Sequence, residues 1–405
     1  MKEKFADLYS ENIKQMKASA IREICKLIAK PEMISLAGGW PDPSTFPVEE
    51  AKYIISDILD NNWRYALQYG TTEGLPIFRE YISQWAKNFE KINVKADNII
   101  LTSGSTQGMD LAGKTLIDPG DLVLVGLPTY FVGAFKIYGA KVEGIPVDDH
   151  GMQIDYLEEK LKMLSENRKR VKLVYIQPNF QNPTGATLSL ERREKILKLA
   201  NQYNFLIVED NPYGDLNYDG EFLPPLKALD HAERVIYLRS FSKVFSPGIR
   251  LAWMAAEENI LRKMVIAKQY IDACSNTLSQ YLMFEFCRRG YLEIQIKKNI
   301  AFYKSKRNFM LQVLEKHFPE EARWNQPMGG FFIFVTLPQN LDAETILCEA
   351  IDENVAFVAG HSFFIDGSGR NTIRLSYAQS THKEIEQAIR VIGQIIKKYL
   401  KSEIK

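Results

Sequence analysis

At 405 residues, 46% hydrophobic and 25% charged, the chain is longer than one average domain and apolar enough for large buried cores. Its 51 basic and 50 acidic residues leave a net charge of +1, so nothing calls for nucleic acid or an anionic membrane as a partner. The four cysteines, Cys25, Cys274, Cys287 and Cys348, are scattered without a CxxC pair, so neither a zinc site nor a disulfide framework is indicated.

In chain order, the first seven residues lack the apolar core of a signal peptide, and no run approaches the ~20 apolar residues of a membrane span. A cytoplasmic protein is expected. Ile21, Ile24, Cys25 and Ile28 then fall on one stripe of a helix, with Arg22 beside it. β-rich runs follow at Asn98–Leu101, Leu122–Gly126, Lys141–Val147, Val171–Gln177, Phe205–Glu209, Val235–Ser240 and Leu251–Ala255. Helical periodicity lies between most of them, as at Leu188–Tyr203. This alternation predicts βαβ units and a mostly parallel, seven-stranded sheet. Ligands of such sheets bind outside the carboxyl ends of the strands, where Asp210, Ser240 and Ser103-Gly104 fall. A long helical stretch, Tyr291–His317, leads into a smaller α+β region. It holds Met328–Phe334, a strand at Ala356–Val358, another at Asn371–Tyr377, and an amphipathic helix at Lys383–Tyr399.

Two segments carry most of the chemistry: Ser240-Phe241-Ser242-Lys243 with the following Arg250, and Val208-Glu209-Asp210-Asn211-Pro212-Tyr213. A lysine that forms a Schiff base needs hydroxyl donors and a second cation nearby. Partly desolvated beside Arg250, the Lys243 ammonium should have a lowered pKa. Asp210 ends an apolar strand, where an unpaired carboxylate is costly. A protonated pyridine nitrogen would pair with it, and Tyr213 could bond the ring hydroxyl. These are the requirements of pyridoxal phosphate; a helix N-cap is the plain alternative for Asp210. The turn Ser103-Gly104-Ser105-Thr106-Gln107 offers backbone N–H groups and a helix N-terminus to a phosphate. Ser240, Ser242 and Arg250 complete that cradle. Asn182, in Asn182-Pro183-Thr184-Gly185, could donate to the cofactor's phenolate and to a substrate carboxylate. Tyr130 could stack on the ring or be an ordinary core aromatic. Arg374, inside an apolar strand, needs a buried anion: a substrate α-carboxylate or a structural salt bridge.

These residues, with Tyr69-Gly70-Thr71-Thr72-Glu73-Gly74, resemble the fold-type-I pyridoxal-phosphate aminotransferases of class I/II through essentially the whole chain. The resemblance implies a large cofactor domain (49–305) and a small C-terminal domain (306–405), with an N-terminal helix and segment (1–48) that joins the small domain, so that both chain ends build it. It also implies a homodimer with shared active sites, in which Tyr69 reaches the neighbouring subunit's phosphate. Ala18–Glu23 and Ser35–Pro41 look most like the group of 2-aminoadipate, kynurenine II-like and archaeal aromatic aminotransferases. There, residues matching Ser19 and Arg22 hold a substrate's distal carboxylate, and one matching Gly39 makes a backbone contact. A solvated surface arginine is the alternative for Arg22. Trp40 stands where a leucine is expected, which leaves the donor open among 2-aminoadipate, aromatic and branched-chain amino acids. The implied reaction is ping-pong transfer of an amino group from an L-amino acid to 2-oxoglutarate, with Lys243 carrying the proton. Two other readings are a lyase or decarboxylase on the same fold, and a cofactor-sensing regulatory domain. The latter would need a helix-turn-helix domain ahead of the fold, and the preceding residues show no basic recognition helix.

Overall fold

The computed structural model describes residues 5–14, 32–130 and 133–402. After β1 (Ile34–Ser35) come β2 (Ile99–Thr102), β3 (Leu122–Leu127), β4 (Lys141–Asp148) and β5 (Gly151–Met152). β6 (Val171–Ile176), β7 (Leu206–Asp210), β8 (Val235–Ser240) and β9 (Ala252–Ala255) follow. β2 to β9 form one sheet in the spatial order β2-β9-β8-β7-β6-β3-β4-β5. The run β4-β3-β6-β7-β8 is parallel throughout, whereas β9 is antiparallel to both β8 and β2. β2 therefore points the same way as the parallel strands. The carboxyl ends of β2, β6, β7 and β8 share one edge of the sheet.

All seven expected strands are present, and the two-residue β5 adds an eighth through a tight hairpin onto β4. Two residues are too few to show any alternation in the sequence. Side chains alternate across the sheet, so successive residues enter opposite cores. Ile207 packs with the helices Ile154–Glu166 and Leu190–Tyr203. Val208 packs with Ser105–Leu116 and Glu258–Gln269 on the other face. Burial on both faces is why these strands read as continuous apolar runs.

The 27-residue helix Tyr291–His317 has the expected bounds. Leu292 near its start enters the core that holds Phe286 and Trp253, while Met310, Val313 and Leu314 enter a second core. That core surrounds an antiparallel sheet containing β10 (Arg323–Trp324), β11 (Phe332–Thr336), β13 (Val358–Ala359) and β14 (Thr372–Ser376), in the order β10-β11-β14-β13. The strand expected at Ala356–Val358 is split at Phe357 into β12 (Val355–Ala356) and β13. β12 pairs in parallel with β1, which attaches the early segment to the late one. Ile385, Ala388, Ile389, Ile392 and Ile396 of the closing helix His382–Ser402 bury one face against this core. Among the described residues no helix is long and apolar enough to cross a membrane, and no acidic, histidine or cysteine group could hold a metal.

Candidate active site

The shared edge gathers the predicted residues. Asp210, the last residue of β7, is only 6% exposed. Its Oδ2 accepts from Tyr175 Oη at 3.0 Å and from Gln177 Nε2 at 2.9 Å. Its Oδ1 is buried and has no hydrogen-bond partner among the described residues. Burial pushes the Asp210 carboxyl upward, against the pull of Gln177, Tyr175 and Lys243. A carboxylate with one oxygen saturated and the other empty lacks a donor, which a ring N–H would supply.

Lys243 follows β8 in a turn and is half-buried. Its Nζ donates to the Gly39 carbonyl at 2.8 Å and lies 5.7 Å from the centre of the buried Tyr213 ring. Burial lowers its ammonium to about 8, helped by the charges of Arg374 and then Arg250, and opposed by Asp210. The lowering expected from Arg250 is therefore present, but Arg374 acts more strongly. Gly39 cannot carry a side chain here, because a Cβ would meet Phe332 Cζ at 2.6 Å.

Arg374 lies on β14 and is buried between the rings of Phe332 (4.2 Å) and Phe363 (4.9 Å). It donates to Asn182 Oδ1 at 2.8 Å and to the Ala37 carbonyl at 2.5 Å. Residues 34–39 thus run from the β1–β12 pair, past Arg374, to Lys243. Sequence spacing gave no sign of this strap.

Gly104, at a φ of +81°, turns the chain from β2 into the helix Ser105–Leu116, whose first N–H groups lack intrahelical acceptors. A Cβ on Gly104 would strike the Arg250 guanidinium, which donates to the Ser103 carbonyl at 3.3 Å. Ser240 and Ser242 are buried beside Lys243, with Ser242 N donating to Ser240 Oγ at 3.1 Å. Gln107, expected among the cofactor-binding residues, is engaged with the turn itself. Its Oε1 accepts from Ser103 N at 2.7 Å, its Nε2 donates to Asp272 at 2.7 Å, and its own N–H goes to Gly104. It braces the turn from behind.

Tyr130 is 39% exposed at the mouth of the site, and Tyr69 is 83% exposed on the outer surface. Ser19 and Arg22 lie outside the described residues. Tyr175 and Gln177 were missed by sequence reasoning. Parallel register pairs Ile176 with Glu209, which sets Gln177 beside Asp210 at the next step. The available signal was that the two strand ends fall level.

Comparison with known proteins supplies the context for this arrangement. The family model for aminotransferases of class I and II matches residues 32–392. An aromatic-amino-acid aminotransferase of Thermococcus litoralis is 44% identical over 395 residues, covering 97% of this chain and 95% of that protein. A 2-aminoadipate transaminase of Thermus thermophilus is 37% identical over 398 residues, covering 97% of each. The crystal structure of a Pyrococcus horikoshii kynurenine aminotransferase, in complex with PMP, KYN as substrates and KYA as products, matches with a TM-score of 0.94. It is 42% identical, covering 97% of this chain and 98% of that one.

Proposed function

Because the chain belongs to the class I and II aminotransferases and takes pyridoxal phosphate as its cofactor, we propose that Lys243, Asp210 and Tyr213 are its catalytic residues. The observation that carries this reading is the half-satisfied Asp210 carboxylate within electrostatic reach of a lysine of lowered pKa. When bound, the cofactor supplies the electron sink that makes an amino acid's Cα–H labile. Lys243 Nζ, neutral above about pH 8, would be the base that takes the Cα proton and, once protonated, the acid that gives it back. Asp210, whose Oδ1 has no hydrogen-bond partner among the described residues, would hold the ring nitrogen in its protonated form, and Tyr213 would hold the ring oxygen. The N–H groups of Ser105 and Thr106, the hydroxyls of Ser240 and Ser242, and Arg250 hold the phosphate. Tyr130 covers one ring face. Gln107 supports the phosphate turn.

Arg374 and Asn182 hold the substrate α-carboxylate as a preformed pair. Ser19 and Arg22 recognise the distal part of the substrate, and the Gly39 backbone and Tyr69 also contact the substrate. The amino acceptor is 2-oxoglutarate, and the donor is an aromatic amino acid, 2-aminoadipate or a branched-chain amino acid; the names of two relatives support the first two donors. Residues 49–305 form the cofactor domain, and 306–405 form the small domain, which residues 1–48 join. Two cytoplasmic subunits share their sites through Tyr69. The test is near-ultraviolet and visible absorbance of the purified protein with a panel of amino acids, then 2-oxoglutarate. A cofactor band bleached by a donor and restored by the oxo acid is expected, with parallel double-reciprocal plots for ping-pong transfer. A band that never cycles would point to a lyase or a sensor.

A further inference from the structure

Gln177 touches both halves of the site with one amide. Its Nε2 donates to Asp210 Oδ2 at 2.9 Å, and its Oε1 accepts from the backbone N–H of Asn182 at 3.0 Å. Asn182 Oδ1 in turn accepts from Arg374 at 2.8 Å. All four residues are below 9% exposure, so the chain of bonds lies where an unmade bond is costly. The amide orientation is fixed by its neighbours, because a flipped Gln177 would aim N–H at N–H and oxygen at carboxylate. We propose that Gln177 is a positioning residue that couples cofactor binding to substrate-carboxylate binding. It fixes Asp210 with Oδ1 available, and it fixes the Asn182 loop that Arg374 rests on.

Tyr175 provides an internal comparison. Its hydroxyl also donates to Asp210 Oδ2, at 3.0 Å, and makes no bond to the Asn182 loop. Both donors favour the charged form of Asp210 against its burial. A residue with two arms should therefore affect two binding events where Tyr175 affects one. The inference rests on the reading of Asp210 as the partner of the ring nitrogen.

The test compares Gln177→Leu, Gln177→Glu, Tyr175→Phe and Asp210→Asn. It reads the Kd of pyridoxal phosphate for the apoprotein, the pH dependence of bound-cofactor absorption, the amino-acid KM at saturating cofactor, and thermal unfolding of the apoprotein. Loss of a hydrogen bond to a buried charge corresponds to roughly tenfold or more in affinity. Gln177→Leu is expected to raise both the cofactor Kd and the amino-acid KM about tenfold. Tyr175→Phe should raise the cofactor Kd alone. Gln177→Glu keeps the acceptor for Asn182 and is useful should the leucine variant fold poorly. Its KM should stay within about twofold of wild type, while its cofactor affinity falls more steeply with rising pH as the new carboxyl ionises against Asp210. The proposal is overturned if Gln177→Leu and Tyr175→Phe change the same single parameter, or if the glutamate variant follows the wild-type pH profile. It also falls, together with the reading of Asp210, if Asp210→Asn leaves cofactor affinity and absorption unchanged. A weakened Asp210→Asn beside an unaffected Gln177→Leu would remove the coupling and leave the reading of Asp210 intact.

Discussion

Lys243 holds its proton weakly because three influences act together: burial, the charge of Arg374 on β14, and the charge of Arg250 beside the phosphate turn. Below about pH 8 the ammonium has no lone pair, so each unit of acidity removes about tenfold of the reactive amine. The rate at which the apoprotein captures pyridoxal phosphate should therefore rise about tenfold per pH unit toward pH 8 and flatten above it. Stopped-flow absorbance across that range checks this, and a rate still climbing near the ordinary lysine value would show that the neighbours do not act as described. Replacing Arg374 with leucine should move the break to higher pH. Lys243, Asp210 and Arg374 were legible because each is a charged group in an apolar strand or hydroxyl-rich turn, where a bland role is costly. Gln177 and Tyr175 were not. A glutamine after a strand is unremarkable until β6 and β7 are placed side by side, and Gly39 acquires its contact with Lys243 only when the early segment is laid under β14.

One level up, the elements beneath the site are tied by a buried polar network that no spacing announces. The helix Pro76–Trp85 ends in a wide turn, Ala86–Glu90, that carries Glu90 inward to β8. There Glu90 Oε1 accepts from Tyr237 Oη at 2.8 Å and lies 3.3 Å from Arg239 Nε. Arg239 also pairs with Asp215 and stacks 3.9 Å from the Trp85 ring centre. Tyr237 accepts from Asn211, the residue after Asp210, at 2.8 Å, and Asn211 accepts from Asn179 at 3.0 Å. The network braces the ends of β6, β7 and β8 from below. Burial pushes the Glu90 carboxyl up to about 7, above the usual carboxylate range and against the opposing charge of Arg239. In that range the folded chain binds a proton at Glu90 that the unfolded chain has lost, so the contribution is complete below the ordinary carboxylate pKa and disappears as pH rises through 7. Across this window wild type should lose on the order of 3 kcal/mol relative to Glu90→Gln. Denaturant unfolding of the two proteins at several pH values measures the difference, and parallel profiles would show that Glu90 is charged in the folded state. In the sequence, Arg239 stands out as a cation in an apolar strand, but its partners lie 149 positions before it and 24 before it (239 − 90 and 239 − 215). Long helices such as Tyr291–His317 and His382–Ser402 were readable to within a few residues. Pairings across such separations are set by sheet order, which sequence periodicity does not encode.

At the scale of the whole molecule, the phosphate turn lies close to a segment that exposes large apolar side chains. Tyr69 and Tyr270 are each 83% exposed, and Leu67 is 63% exposed. Gly70 abuts Thr277, and nearby Asp272 holds Ser103 and Gln107 of the turn. Exposed aromatic surface of this kind is characteristic of protein–protein contact. It supports the proposal that a second subunit covers this face and that Tyr69 serves the partner's phosphate, because on its own chain the side chain is turned out to solvent. A two-fold arrangement makes this proposal sharply testable, since each site would take Lys243 from one subunit and Tyr69 from the other. Homodimers of Lys243→Ala should be inactive, and those of Tyr69→Ala strongly impaired. In a hybrid dimer, the subunit that keeps Lys243 would receive Tyr69 from its Lys243→Ala partner, which rebuilds one complete site. Random reassociation of equal amounts makes half the dimers hybrids with one good site in two, so activity should recover to about a quarter of wild type. Mixing the two variants under conditions that exchange subunits, with light scattering to confirm the dimer, measures this directly. No recovery from exchanged dimers would place Tyr69 and Lys243 of one chain in the same site.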